Sequence, residues 1–351
     1  MRIKIIGGGI AGLTAAINLK KAGVDVEVHE RKSYCGKHTG DFQFLENWTF
    51  KNDALDMLRS MNVQTDFYVR PRHTQEAVSP SGKLYFGTSH KPAIYLVKRG
   101  RSRDSIDRSL ESQCLQMGVK LVFNSKLKSQ EADIIATGIK KPEFIATSVM
   151  FPCEHAYRSV LIFDDNLSKE FYSYFIVNDN VGEITCVNPV GRKDHIVRLE
   201  KTVQRCEKIF AIKVNKIIGR YSAPLSFNPL RTARKNDQYY VGEAAGFQDC
   251  FLGFGMMYAF KSGYLAAKSL LEDLDYNQLI ENELLKPMLV SCANRALWAK
   301  LSNTGYERVI RLLNSRNPIV QILLGGSDLR KILKKIYNHS LSAFLRPLLF
   351  L

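Results

Sequence analysis

The first thirty residues set what the rest of the chain can become. Arg2-Ile3-Lys4-Ile5-Ile6 reads as a short buried strand and runs straight into Gly7-Gly8-Gly9-Ile10-Ala11-Gly12. An apolar helical stretch continues to about Ala22, Gly23 stops it, and Val24 to Val28 form a second strand that leads to Glu30. Three glycines alone mean only a turn. Strand, glycine turn, helix, strand and acid in this order are the parts of a dinucleotide-binding βαβ unit. Gly7 permits the tight turn, Gly9 lets backbone approach a pyrophosphate, and Gly12 lets helix and strand pack closely. The helix that opens at Ile10 and Ala11 offers unpaired N–H groups and partial positive charge to phosphates. Glu30, with Arg31 beside it, is placed to hold a ribose.

A second stretch repeats the logic near residue 240. Tyr239-Tyr240-Val241 reads as a strand that delivers Gly242-Glu243-Ala244-Ala245-Gly246, and Gly253-Phe254-Gly255 opens a helix from Met256 to Leu271. Small residues there allow close backbone approach, and a helix start behind glycines is an anion site. Ala132 to Ala136 reads as a buried strand ending in Thr137-Gly138, a turn expected at the carboxyl edge of a doubly wound sheet, where ligands bind.

Between these stretches, residues 31–50 read as loop, with Cys35-Gly36-Lys37-His38-Thr39-Gly40 beside the nucleotide. Asn52 to Met61 carries a helical apolar face, Pro80-Ser81-Gly82 predicts a hairpin over 77–88, and Ile106, Leu110 and Cys114 share a helix stopped by Gly118. From 150 to 225 the character changes to successive strand-like runs with one helix near Asp194 to Phe210, which reads as an inserted antiparallel sheet.

Composition bounds the function classes. The hydrophobic share is 45% and the charged share 24%, an ordinary globular balance. No signal-peptide pattern precedes the first strand, and no apolar run reaches the length that spans a bilayer. Seven scattered cysteines lack any CxxC pair, and seven histidines lack metal-ligand spacing, so a reduced, cytoplasmic protein without a metal site is expected. Net charge is +16, and ten Lys/Arg against two acids from Arg295 to Leu351 supply +8 of it. No recognition motif accompanies this excess, so a solvated basic face or an anionic membrane surface is expected and a nucleic-acid partner is not.

The combination resembles the geranylgeranyl reductase family of flavoproteins, related to aromatic-ring hydroxylases of the p-hydroxybenzoate hydroxylase type. The glycine turn with Glu30 resembles their FAD-binding start, Arg103-x-x-Ile106-Asp107-x-x-Leu110 their Arg-x-x-Phe-Asp-x-x-Leu segment, and Ala136-Thr137-Gly138 their small-residue turn over the cofactor. Val241 to Gly255 with Ala259-Phe260-Lys261-Ser262-Gly263 resembles their Gly-Asp-Ala-Ala-Gly…Gly-x-Gly…Ser-Gly stretch. The resemblance covers residues 1–140 and 225–275. It implies an α/β fold: a Rossmann-like FAD-binding domain over 1–150 and 225–275, holding the 77–88 hairpin, an inserted antiparallel β substrate domain over 151–224, and a basic helical region over 276–351.

Carried over, the resemblance gives a site of Gly7, Gly9, Ile10, Ala11, Gly12, Glu30, Arg31, Arg103, Thr137, Gly138, Gly242, Glu243, Gly253, Phe254 and Gly255 around FAD. It puts Glu30 at the adenosine ribose, Arg103 on the ribose or phosphate side, Glu243 at the ribityl–pyrophosphate region, and Gly253 and Gly255 near the flavin's pyrimidine edge. Cys35, His38 and Cys250 are the candidates for chemistry, with an inert role the commoner one for such residues. Three departures from the family pattern stand out. Glu243 replaces an Asp, Cys250 a Pro, and Cys35-Gly36-Lys37-His38 a Cys-Gly-Gly-Gly.

The implied reaction is FAD-dependent reduction of isoprenoid double bonds in a lipid or lipid-linked substrate by hydride transfer. A monooxygenase or halogenase of the same fold, or a non-catalytic flavin-binding protein, are the alternatives. The chain has one dinucleotide fingerprint, so the electron donor is expected to be transient: NAD(P)H, or a reduced ferredoxin-type protein drawn to the basic end. Leu329, Ile332, Leu333, Ile336 and Tyr337 share one helical face, with Arg330, Lys331, Lys334 and Lys335 on the rest. With the apolar end after Leu341, residues 329–351 are expected either to pack on the core or to lie peripherally on an anionic membrane.

Overall fold

The computed structural model describes residues 2–36, 42–226 and 232–314. Its elements run β1 (Arg2–Ile6), α1 (Ile10–Lys21), β2 (Asp25–His29), β3 (Phe42–Glu46), α2 (Ala54–Ser60), β4 (Val69–Arg72), β5 (Thr74–Val78), β6 (Leu84–Thr88), β7 (Ile94–Lys98), α3 (Ile106–Gln116), β8 (Lys120–Val122) and β9 (Ile134–Ile135). They continue with β10 (Phe144–Pro152), β11 (Arg158–Ile162), β12 (Ser173–Asn178), β13 (Val181–Pro189), α4 (His195–Phe210), β14 (Gly219–Leu225), β15 (Arg234–Lys235) and β16 (Gln238–Tyr240). The last are α5 (Met256–Glu272), α6 (Tyr276–Ile280), α7 (Lys286–Trp298) and α8 (Asn303–Asn314). The expected helix over 329–337 lies outside the described residues.

Two compact units share the chain: Met1–Pro71, Ile94–Lys141 and Ser226–Leu289 form one, and Arg72–Ala93, Pro142–Leu225 and Val290–Leu351 the other. The first is built on a six-stranded sheet of order β15-β16-β9-β1-β2-β8, parallel except for the β15 edge. In β1, Ile3 and Ile5 are buried, and the register Ile3↔Val26 and Ile5↔Val28 stacks branched side chains across the pair. Every residue of α1 from Ile10 to Leu19 is buried, because its Ala- and Leu-rich surface has packing partners all round. Since β2 lies on one side of β1 and β9 on the other, the strand order reverses at β1. That is the switch point where open α/β sheets hold ligands.

Residues 31–50, expected as loop, contain β3, which pairs antiparallel with β7 and, with β4, makes a three-stranded sheet in the same unit. Its partner lies some fifty residues on, at Ile94–Lys98, so no local pattern announced it.

The second unit carries a seven-stranded sheet, β14-β10-β13-β12-β11-β5-β6, antiparallel apart from the β5–β11 pair. Its core joins Val149, Phe151, Val160, Phe175 and Ile184 to Leu199, Cys206 and Phe210 of α4. The hairpin expected at 77–88 forms as β5 and β6, but it belongs here and not to the nucleotide unit, since β5 pairs with β11. β10 likewise begins at Phe144, before the expected boundary at 150. Residues 276–289, expected in a separate helical region, cluster with the first unit.

Candidate functional site

The glycine turn at the carboxyl end of β1 is fixed by close approach. Gly7 has φ +106, a region side chains rarely adopt, and a Cβ there would meet the Ala136 carbonyl oxygen at 2.2 Å. A Cβ on Gly12 would lie 2.1 Å from the Gly7 oxygen, so α1 can sit against the turn only with glycine at that place. Gly9 differs from both. It caps α1 with no side-chain hydrogen bond, and a Cβ on it meets no atom of the described residues within 4 Å. Leu13 N bonds Gly9 O at 2.9 Å, so the N–H groups of Ile10, Ala11 and Gly12 precede the helical ladder and open on that space.

Glu30 closes the turn from the end of β2. Its Oε2 accepts from Gly8 N at 2.8 Å and its Oε1 from Lys32 N at 3.0 Å, which holds the carboxylate in place and leaves lone pairs for a further donor. Gly36 N donates to Gly8 O at 2.8 Å, so the Cys35-Gly36 segment is tied to the turn. Cys35 is buried under it, and burial, with Glu111 and Glu30 nearby, pushes its thiol far up. Such a thiol stays protonated, in keeping with the inert role that is the commoner one for a buried cysteine.

A third corner comes from β9, which pairs with β1, and from β16 on the far side of β9. The turn after β9 brings Gly138 to Glu243: a Cβ on Gly138 would lie 3.9 Å from Glu243 Oε2. Gly242, at the end of β16, faces α1, with 3.0 Å between a Cβ built on it and that of Ala11. Gly263 of α5 packs on the same helix; its Cβ would meet the Ala11 oxygen at 2.2 Å. The glycine turn, the Thr137-Gly138 turn and the Gly242-Glu243 turn therefore form one contiguous rim.

The start of α5 is built separately. Asp249 Oδ1 accepts from Leu252 N at 2.5 Å, and Gly253 N bonds Asp249 O at 3.0 Å, which folds 249–255 into a tight loop ending at the cap Gly255. Phe254 packs edge-on against Trp48, with 4.8 Å between ring centroids. Beneath this loop Glu46, buried at the end of β3, accepts from Met257 N. Sequence reasoning missed Glu46 and Asp249; an acid after Phe42-Gln43-Phe44-Leu45 carries no sign that it will be buried.

Not every expected residue joins the rim. Arg31 and Arg103 are exposed, whereas Thr137, also exposed, belongs to the turn after β9 that does. The arginine held in place is Arg99, whose Nε and Nη2 each donate to Asp107 at 2.9 Å, with Nη1 on Gln43 Oε1 at 2.7 Å. Cys250 is buried and disulfide-bonded, so it offers no free thiol, a correction to its candidacy, while Cys35, Cys114, Cys153, Cys186 and Cys206 are free. His38 lies outside the described residues. Among the described residues no cluster of His, Cys, Asp and Glu could hold a metal, and no helix is long and apolar enough to cross a membrane.

The family model for an NAD(P)-binding Rossmann-like domain matches residues 5–59. The strand order and glycine turn thus define the first unit as a Rossmann-like dinucleotide-binding fold. Among solved structures, the chain is similar to a geranylgeranyl bacteriochlorophyll reductase-like protein from Thermoplasma acidophilum, with TM-score 0.76 and 15% identity over 99% of this chain and 98% of that one. It is also similar to a flavin-dependent brominase (TM-score 0.65, 16% identity, 93% and 94% covered) and to a flavoprotein/dehydrogenase from Cytophaga hutchinsonii (0.65, 12%, 93% and 93%). No curated protein sequence matches the chain.

FAD, the group implied by the sequence resemblance, can be tested against this rim. The open space over Gly9 is a cradle that a side chain would fill, the adjacent N–H groups suit a pyrophosphate, and Glu30 keeps acceptor capacity for ribose hydroxyls. The residues fit the adenosine diphosphate half of the cofactor.

Proposed function

We propose that the protein is an FAD-dependent oxidoreductase that reduces carbon–carbon double bonds of an isoprenoid lipid or lipid-linked substrate. The observation that carries the flavin reading is the space over Gly9, at the start of α1, that no atom of the described residues fills. When bound, FAD supplies a two-electron hydride acceptor and donor. The chain's own part is to hold it: the amino end of α1 faces the pyrophosphate, Glu30 takes the ribose hydroxyls, and the Gly138–Glu243 rim faces the ribityl side. The isoprenoid substrate is supported by likeness along nearly the whole chain to the geranylgeranyl bacteriochlorophyll reductase-like fold. Electrons come from NAD(P)H or a reduced carrier protein, and residues 329–351 bring the protein to an anionic membrane where such a substrate resides.

The likeness to a flavin-dependent brominase favours a second reading, in which the same cofactor works with O₂. One experiment separates them. The purified protein is expected to hold FAD, not FMN. Reduced without air, it should be reoxidised by a geranylgeranyl lipid that gains two hydrogens per double bond. Product that appears only with O₂ and carries oxygen or bromine would replace the reductase reading with the second, and a colourless protein unable to bind FAD would overturn both.

A further inference from the structure

The amino end of α5 holds a buried acid that the nucleotide reading does not use. Glu46 is 1% exposed, and its Oε1 accepts from Met257 N at 3.0 Å, while Oε2 has no hydrogen-bond partner among the described residues. It makes no ion pair there. A buried carboxylate with one oxygen unmatched is costly, and the protonated form is cheaper. Burial, with Asp249 adding like charge, pushes the Glu46 carboxyl up to about 8.

Two groups face it. Asp249, 5% exposed, lies in the loop before α5, and the Tyr258 phenol lies on α5, held well above its ordinary value by burial and by both carboxyls. The cap Gly255 has no side chain to offer, and the first turn of α5 contains no acid. Two acids therefore bear on this helix end, Asp249 from the loop before it and Glu46 from beneath.

We propose that Glu46 is a positioning residue whose proton sets the charge that the amino end of α5 presents to bound FAD. The proposal rests on the flavin reading above, with Gly253 and Gly255 near the flavin's pyrimidine edge as the sequence resemblance implies, and deepens it. A neutral Glu46 leaves the positive end of the helix dipole opposed by Asp249 alone, and an ionised one opposes it further. Two electrons and one proton convert oxidised flavin to its reduced anion. Negative charge gained near this helix end makes an ionised Glu46 more costly, so reduction draws a second proton onto its carboxylate. The electrons come from the external donor, both protons from solvent, and no other bond changes.

The test is a redox-dye titration of the FAD-loaded protein and of its Glu46→Gln variant, with dithionite as reductant, across neutral and alkaline pH. Gln has the same shape and no proton to lose. Below about pH 8, where Glu46 is protonated in both redox states, the two potentials should fall in parallel as pH rises. Above it the wild-type line should become about twice as steep over the window between the oxidised-state and reduced-state ionisations, while the Gln line keeps its shallow slope. A second measurement needs no variant fold. The infrared band of a protonated carboxyl should be present in the wild type at neutral pH and fade on reaching alkaline pH. Parallel lines throughout, with FAD bound, would sink the proposal and leave the flavin reading standing. Absence of the protonated band at neutral pH would sink it as well. Failure of the wild type to bind FAD would sink both.

Discussion

Gly7, Gly9 and Gly12 are one residue type under three different constraints. A side chain on Gly7 or Gly12 would strike backbone oxygen near 2 Å, whereas one on Gly9 meets no atom of the described residues and leaves an extended backbone that a branched residue tolerates. Gly12→Ala is expected to destabilise the fold by roughly 1–3 kcal/mol through overpacking. Gly9→Val should change stability by less than about 1 kcal/mol and abolish flavin retention. Urea unfolding and the flavin absorbance of the purified variants read the two effects separately; a Gly9→Val protein with full flavin content would refute the pyrophosphate cradle.

Glu46 makes a residue-scale prediction of the opposite kind, about pH. Its carboxyl ionises at an ordinary value of 4.5 when unfolded and at about 8 when folded. Between these values the folded chain holds a proton that the unfolded chain has lost, so Glu46 favours folding at low pH and loses that contribution as pH rises through about 8. The urea midpoint of the wild type should therefore fall more than that of Glu46→Gln between about pH 5 and about pH 8. Equal changes in both would place the Glu46 ionisation elsewhere.

At the scale of elements, the nucleotide rim depends on how α1, α5 and the loop before α3 are seated. α5 approaches α1 through Gly263, where a Cβ would meet the Ala11 oxygen at 2.2 Å, so Gly263→Ala should cost roughly 1–3 kcal/mol and lower the thermal midpoint. Arg99 ties the end of β7 to Asp107 at the start of α3 by a paired hydrogen bond. Removing the guanidinium strands a buried carboxylate, and Arg99→Leu is expected to cost roughly 3–5 kcal/mol, whereas Arg103→Leu in the exposed loop should be near neutral. Glu243, in the turn after β16, acts on ligand more than on fold. Its replacement by Ala should weaken FAD binding by roughly 1–3 kcal/mol, read as the flavin dissociation constant, with unfolding little changed.

At the scale of the whole molecule, a net charge of +16, half of it carried from Arg295 onward, is expected to direct the protein to anionic surfaces. Full-length protein should co-sediment with anionic liposomes at low salt and be released by high salt, and a version ending at Asp328 should bind them less. Equal recovery of both in the supernatant would remove the membrane role of residues 329–351. How much of this molecule is legible in one dimension follows from the range of the interactions. The β1–α1–β2 unit was readable because its strand pattern, glycine turn and helix stop lie within thirty residues and the physics of each is local. The same holds for α4, whose apolar face Leu199, Thr202, Cys206 and Phe210 is written in helical period. The sequence by itself thus determined the class of the fold and three corners of the nucleotide rim. Only the tertiary structure decided that β5 and β6 join β11 in the seven-stranded sheet, that β3 exists, that Cys35 is sealed under the glycine turn, and that Glu46 lies beneath α5. Strand partners and burial are chosen by residues far along the chain, and the energy of a buried acid or thiol belongs to its surroundings and not to its own letter.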